Sequence, residues 1–127
     1  MAAADAEKTL IIRAVGVAPD ETDVAGLRAR LLAATEEADL LLIDANVPGV
    51  HGGTGRVLPW QVVGEAAAGM RFLLAGGISP RNAAGALAAS GAWGLDVASG
   101  VEKAPGIKDH AAMRALVAAV YEKGTTP

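Results

Sequence analysis

Leu40-Leu41-Leu42-Ile43-Asp44 decides the fold. Four apolar residues ending in a carboxylate read as a strand buried on both faces, as in a parallel sheet covered by helices. In parallel α/β folds the carboxyl ends of the strands face the ligand, so an aspartate there stands where chemistry is done. Gly52-Gly53-Thr54-Gly55 follows in the same loop, and bare backbone of that kind can approach a ligand closely. For Asp44 alone, a turn-capping carboxylate beside glycines that merely loosen a loop is an equal reading. The neighbouring segments turn the balance towards function.

Outward from this strand, strand and helix signals alternate. Upstream, Leu10-Ile11-Ile12-Arg13-Ala14-Val15 is a short β-rich run closed by Gly16-Val17-Ala18-Pro19. Asp20 can cap the next helix, with Glu21 and Asp23 favourable to the positive end of its dipole. Val24, Leu27, Leu31 and Leu32 then fall on one helical face, which suits packing against a sheet. Downstream of the glycine loop, Pro59 and Trp60 open a helix carrying Val62, Val63, Ala66 and Ala67. Arg71 to Ala75 is the third strand and ends in Gly76-Gly77. Ser79-Pro80 reads as a helix start, hydroxyl at the cap and proline in the first turn, and Gly91 is placed to stop that helix. Trp93 to Val97 is the fourth strand. Asp109 caps a last helix with Met113, Leu116, Val117 and Val120 on its inner face.

Strand, loop and helix recurring at roughly thirty-residue spacing are the mark of parallel βα units. With no linker or break in composition, the chain reads as one domain, residues 10–123, between tails at 1–9 and 124–127. Two closures fit: an open doubly wound sheet with helices on both faces, or part of a (β/α) barrel. Length favours the first, because an eight-stranded barrel takes roughly 200 residues or more. The loops favour the second, because every candidate functional residue lies just after a strand.

Composition narrows the function. A net charge of −3 with interspersed signs offers no basic stripe for nucleic acid. The chain has no cysteine, which removes disulfides and thiolate chemistry. No apolar run approaches the roughly 20 residues that span a bilayer, and residues 1–8 lack the basic start and apolar core of a signal peptide. A cytoplasmic soluble protein is the expectation.

Two further loops carry chemical content. Ala75-Gly76-Gly77-Ile78-Ser79-Pro80 places paired glycines at a strand end just before a helix, where backbone N–H groups and the helix dipole can bind an anion. Asp96-Val97-Ala98-Ser99-Gly100-Val101-Glu102 places a carboxylate, a hydroxyl and a glycine after the next strand. In barrels the loops after the last two strands often form a phosphate site. One Gly-Gly alone would be an ordinary βα turn; glycine turns on successive strands point to a phosphate cradle.

Taken together, these blocks, with Trp60, Pro105-Gly106 and Lys108-Asp109, closely resemble phosphoribosylanthranilate isomerase of tryptophan biosynthesis. Their order and spacing match from about Leu10 to Lys123, against the second half of that family's barrel. The resemblance implies half of a TIM-type (β/α) barrel, four parallel βα units corresponding to strands five to eight, with the first half missing.

The family converts an aminoaldose, phosphoribosylanthranilate, into its aminoketose isomer by an Amadori rearrangement, with no cofactor and no metal. An acid protonates the furanose oxygen and a base removes the proton at the second sugar carbon. By resemblance Asp44 is the general acid; a carboxyl in that role near neutral pH needs a raised pKa, which burial supplies. Asp96 resembles the aspartate that contacts the sugar hydroxyls or anilino part of the ligand. Gly76, Gly77, Ser99 and Gly100 match the phosphate-binding turns, and Gly52 and Gly53 lie in the segment resembling the loop that closes over the substrate.

The departures are specific. The family's base is a cysteine on strand one, and this chain has neither that strand nor any Cys. Arg56 stands where the family usually has Lys, and Leu58-Pro59 replaces its usual Phe-Asp before Trp60. His51, beside the glycine loop, and His110, in the last helix, read as solvated residues rather than bases. An isomerase half without its base is therefore expected, inactive alone. The alternatives are a non-catalytic half-barrel that binds phosphate or pairs with another chain, and part of another phosphosugar barrel. The expected partners are the phosphorylated sugar–anthranilate substrate and either a second copy of the chain or a complementing N-terminal half-barrel.

Overall fold

The computed structural model of the chain describes residues 9–45 and 58–124. Four strands, β1 (Ile12–Gly16), β2 (Leu40–Asp44), β3 (Phe72–Ala75) and β4 (Gly94–Asp96), form one sheet in the order β1-β2-β3-β4. All three pairings are parallel. Helices α1 (Val24–Thr35), α2 (Trp60–Ala66), α3 (Ala83–Ser90) and α4 (His110–Gly124) follow the strands in turn. Among the described residues no helix is long and apolar enough to cross a membrane.

The two-residue period of the strands divides the sheet. Leu41 and Ile43 of β2 pair with Phe72 and Leu74 of β3, and all four are buried. They join one core with Leu27 and Leu31 of α1, Val63 and Ala66 of α2, and Ala83 and Ala86 of α3. Leu116 and Val120 of α4 pack against the same core. All four helices thus cover one face. The opposite face carries Leu40 and Leu42, only half-buried, and Ile12, 52% exposed. The expectation that β2 is buried on both faces therefore holds for one face only, because no described helix covers the other. The split of helices between two faces that a doubly wound sheet needs is not seen among the described residues.

Small residues let the helices close on one another. A Cβ at Gly64 of α2 would come within 2.7 Å of the Ala89 carbonyl oxygen of α3, so these helices touch backbone to backbone. Arg28 of α1 donates to the Ala66 and Ala68 carbonyls at 2.9 and 3.0 Å, placing a cation where the dipole of α2 favours one.

Several details depart from the sequence expectation. Strand β1 begins at Ile12 rather than Leu10. Asp23, not Asp20, caps α1, its carboxylate accepting from Gly26 N–H at 2.9 Å. Helix α3 begins at Ala83, because a turn at residues 80–82 follows Ser79 before the chain enters the helix. Gly91 does end it, in a left-handed conformation with φ of 69°. Asp109 caps α4, accepting from Ala112 N–H at 3.1 Å. Of the inner face assigned to α4, Met113 and Val117 are exposed, since the helix meets the core only along the line of Leu116 and Val120. That helix also runs to Gly124, the first residue of the expected tail. A small antiparallel hairpin, β5 (Glu102–Ala104) and β6 (Ile107–Lys108), was not foreseen.

Candidate active site

The register of the sheet aligns the strand ends. Gly16 pairs with Asp44, Asp44 with Ala75, and Ala75 with Asp96, a single row at the carboxyl edge. Partners in a row point to the same side of a sheet, so Asp44 and Asp96 both project from the face opposite the buried Ile43 and Leu74. With strands spaced by about 4.8 Å, their backbones stand roughly 10 Å apart, with β3 between them. Asp44 is half-buried and Asp96 exposed. The Asp44 carbonyl also accepts from Val17 N–H at 2.8 Å, and the Ala75 carbonyl from Ala45 N–H at 2.9 Å, so the pairing continues one step beyond the strands.

Both glycine turns begin at this row. Gly76 and Gly77, just after Ala75, have φ of 94° and 72°, a region that L side chains rarely enter. The chain after Asp96 forms a short 3-10 turn, Ser99–Val101. A Cβ at Gly100 would overlap the Ile78 carbonyl oxygen, so the second turn lies directly on the backbone of the first. Ile78 and Val101 are buried beneath the junction. Among the described residues none accepts from the backbone N–H of Gly76, Gly77 or Gly100. Adjacent unpaired N–H groups are what an anion would need.

Two polar side chains hold these turns: Asn82, absent from the sequence reading, and Lys108, which has no role there beyond the family resemblance. Asn82 bridges the first: its Oδ1 accepts from Ser79 N–H and its Nδ2 donates to the Gly77 carbonyl, each at 2.8 Å. The signal available was an Asn three residues after Ser79, a spacing suited to such a bond. Lys108 braces the second, donating to the Ala98 carbonyl at 3.1 Å and to Glu102 at 2.9 Å. Its ammonium holds the Glu102 carboxyl below the usual carboxylate range.

Of the residues singled out from sequence, the structure brings Asp44, Asp96, Gly76, Gly77, Ser99 and Gly100 to one end of the sheet. Gly52 and Gly53, with Thr54, Gly55, His51 and Arg56, lie outside the described residues. His110 sits exposed at the start of α4. The arrangement offers a carboxyl group one strand away from a pair of abutting glycine turns.

Comparison with known proteins gives this geometry a family. A family model described as N-(5'phosphoribosyl)anthranilate (PRA) isomerase matches residues 3–119. The N-(5'-phosphoribosyl)anthranilate isomerase of Magnetococcus marinus is 43% identical over 106 residues, covering 75% of this chain and 50% of that protein. Among solved structures, the phosphoribosyl anthranilate isomerase of Thermococcus kodakaraensis superposes with a TM-score of 0.71 at 32% identity, over 91% of this chain and 54% of that one. A phosphoribosyl anthranilate isomerase in complex with reduced 1-(o-carboxyphenylamino)-1-deoxyribulose 5-phosphate gives a TM-score of 0.66 at 25% identity, over 92% of this chain and 51% of that one. The chain spans about half the length of the curated relatives it matches. The four-stranded parallel sheet with its helices belongs to the TIM-barrel type of these neighbours, and the chain is a member of the N-(5'-phosphoribosyl)anthranilate isomerase family.

Proposed function

We propose that this chain supplies strands five to eight of a phosphoribosylanthranilate isomerase barrel, with the acid and the phosphate site of the Amadori rearrangement and without its base. The carrying observation is the row in which Asp44, Ala75 and Asp96 pair, with one glycine turn directly after Ala75 and the other, Ser99–Val101, three residues after Asp96. Asp44 delivers a proton to the furanose ring oxygen as the ring carbon–oxygen bond breaks and the anilino nitrogen supplies the electron pair. A base on the complementing half then takes the proton from the second sugar carbon, and the resulting enolamine relaxes to the aminoketose. Asp96 contacts the sugar hydroxyls or the anilino group. Gly76, Gly77, Ser99 and Gly100 hold the phosphate, and Gly52 and Gly53 belong to the segment that closes over the substrate.

The ligand named for the solved relative, a carboxyphenylamino deoxyribulose phosphate, supports a substrate with a phosphate at one end and an anthranilate-type ring at the other. Among the described residues, four strands whose outer edges have no further strand partner, with helices on one face, support the half-barrel reading. On that reading the chain pairs with a complementing N-terminal half or with a second copy of itself, and works in the cytoplasm. The test is Asp44→Asn in a barrel completed by the N-terminal half of a relative. An essential general acid contributes typically about 10²–10⁴-fold, so turnover should fall by that much while substrate binding is retained. A near-normal turnover number would remove Asp44 from the mechanism. If instead the completed wild-type barrel binds phosphate but turns over no substrate, the non-catalytic reading takes its place.

A further inference from the structure

We infer that Asn82 is a positioning residue of the phosphate site, a clamp that fixes both glycine turns through the single peptide segment on which they meet. The inference rests on the phosphate-cradle reading above and adds a residue that touches no substrate. The Asn82 carboxamide reaches over Ile78, donating to the carbonyl before it and accepting from the N–H after it. Only one orientation of the amide satisfies both bonds, because Gly77 offers a carbonyl and Ser79 an N–H. The Ser79 carbonyl in turn accepts from the backbone N–H of Asn82 at 3.2 Å and of Ala83 at 3.0 Å. Four hydrogen bonds therefore tie residues 77–79 to the start of α3, two of them made by one side chain.

Two consequences follow for the anion. The Ser79 N–H is consumed by the clamp, which leaves the N–H groups of Gly76, Gly77 and Ile78 as the donors of this turn. The Ile78 peptide, pinned on both sides, is also the surface against which Gly100 rests. If Ile78 turns, the second turn loses its seat, so the clamp sets the spacing between the two sets of donors as well as the shape of the first. An anion bound by several fixed N–H groups is sensitive to such spacing, since a displacement of 1 Å can cost about a hundredfold in a positioned site.

The test uses the full chain and inorganic phosphate, with binding read from the rise in unfolding temperature and from the amide resonances of Gly77 and Gly100. Asn82→Ala removes both bonds. Asn82→Asp keeps the acceptor for Ser79 N–H, loses the donor to Gly77, and keeps the size of the side chain, so it guards against a variant that fails to fold. Both variants should need about tenfold or more phosphate for the same protection, and in both the amides of Gly77 and Gly100 should shift together before phosphate is added. Wild-type affinity in Asn82→Asp, or a Gly100 amide unmoved in the folded variants, overturns the clamp and leaves the cradle standing. If the wild-type chain itself shows no response to phosphate, the cradle reading falls, and the clamp with it.

Discussion

At the scale of single residues, the two turns use glycine for different reasons, and the difference can be measured. Gly77 has a positive φ, and its missing side chain faces the end of Leu58, 2.5 Å from where a Cβ would sit. A leucine terminus can move aside, so Gly77→Ala should cost mainly the left-handed backbone penalty of about 1–2 kcal/mol. Gly100 faces the backbone carbonyl of Ile78, whose side chain is buried in the core and whose neighbouring peptide groups are bonded by Asn82, so it has little room to yield. Gly100→Ala should therefore cost about 3 kcal/mol, at the upper end for overpacking, and abolish phosphate protection. Denaturant unfolding of the two variants checks the order; a smaller loss at Gly100 would contradict the abutting turns. The two glycine turns were legible from sequence as Gly-Gly and Ser-Gly after successive strands. Their contact with each other was not, because it depends on how two loops far apart in sequence fold over Ile78.

At the scale of elements, periodicity carried the reading and short-range chemistry limited it. The four strands and four helices follow from apolar runs and helical spacing, and each lies within a few residues of its expected place. Ends were harder. Asp20 and Asp23 both have the chemistry of a cap, and only the path of the chain through Thr22 selects Asp23, whose carboxylate reaches Gly26 N–H. Asp23→Ala should lower stability by about 1 kcal/mol, whereas Asp20→Ala, at an exposed position outside the helix, should stay within about 0.5 kcal/mol. Thermal unfolding of the pair decides between them; equal losses would return the cap to Asp20. The hairpin from Glu102 to Lys108 escaped notice because strands of three and two residues have no periodicity to detect. Its turn at Gly106, with φ of 82°, carried the only local signal.

At the scale of the whole molecule, the row of candidate site residues sits on a sheet whose outer strands, β1 and β4, have no further strand partner among the described residues. Leu10 and Ile11, just before β1, and Ile12, its first residue, are exposed. Beside β4, a cleft of about 1060 Å³ lies between α3 and α4, lined by Leu87, Trp93, Leu95, Leu116, Val117 and Tyr121. Edges with free backbone donors and acceptors, flanked by apolar side chains, invite pairing. The topology and its one-sided helices were legible as a choice between two closures, and the packing of all four helices into one core removed the doubly wound alternative. The lack of any cysteine is read directly from the sequence, and it is the ground for proposing that the base comes from another half. The central claim, that acid and phosphate site stand here and the base comes from another half, is tested most directly by a coupled isomerase assay. The purified chain is assayed alone and after mixing with the N-terminal half of a relative that carries the cysteine, with sedimentation to establish that the two associate. The account predicts no turnover from the chain alone and turnover from the stoichiometric complex. Turnover by the chain alone, or a stable complex without turnover, would contradict it.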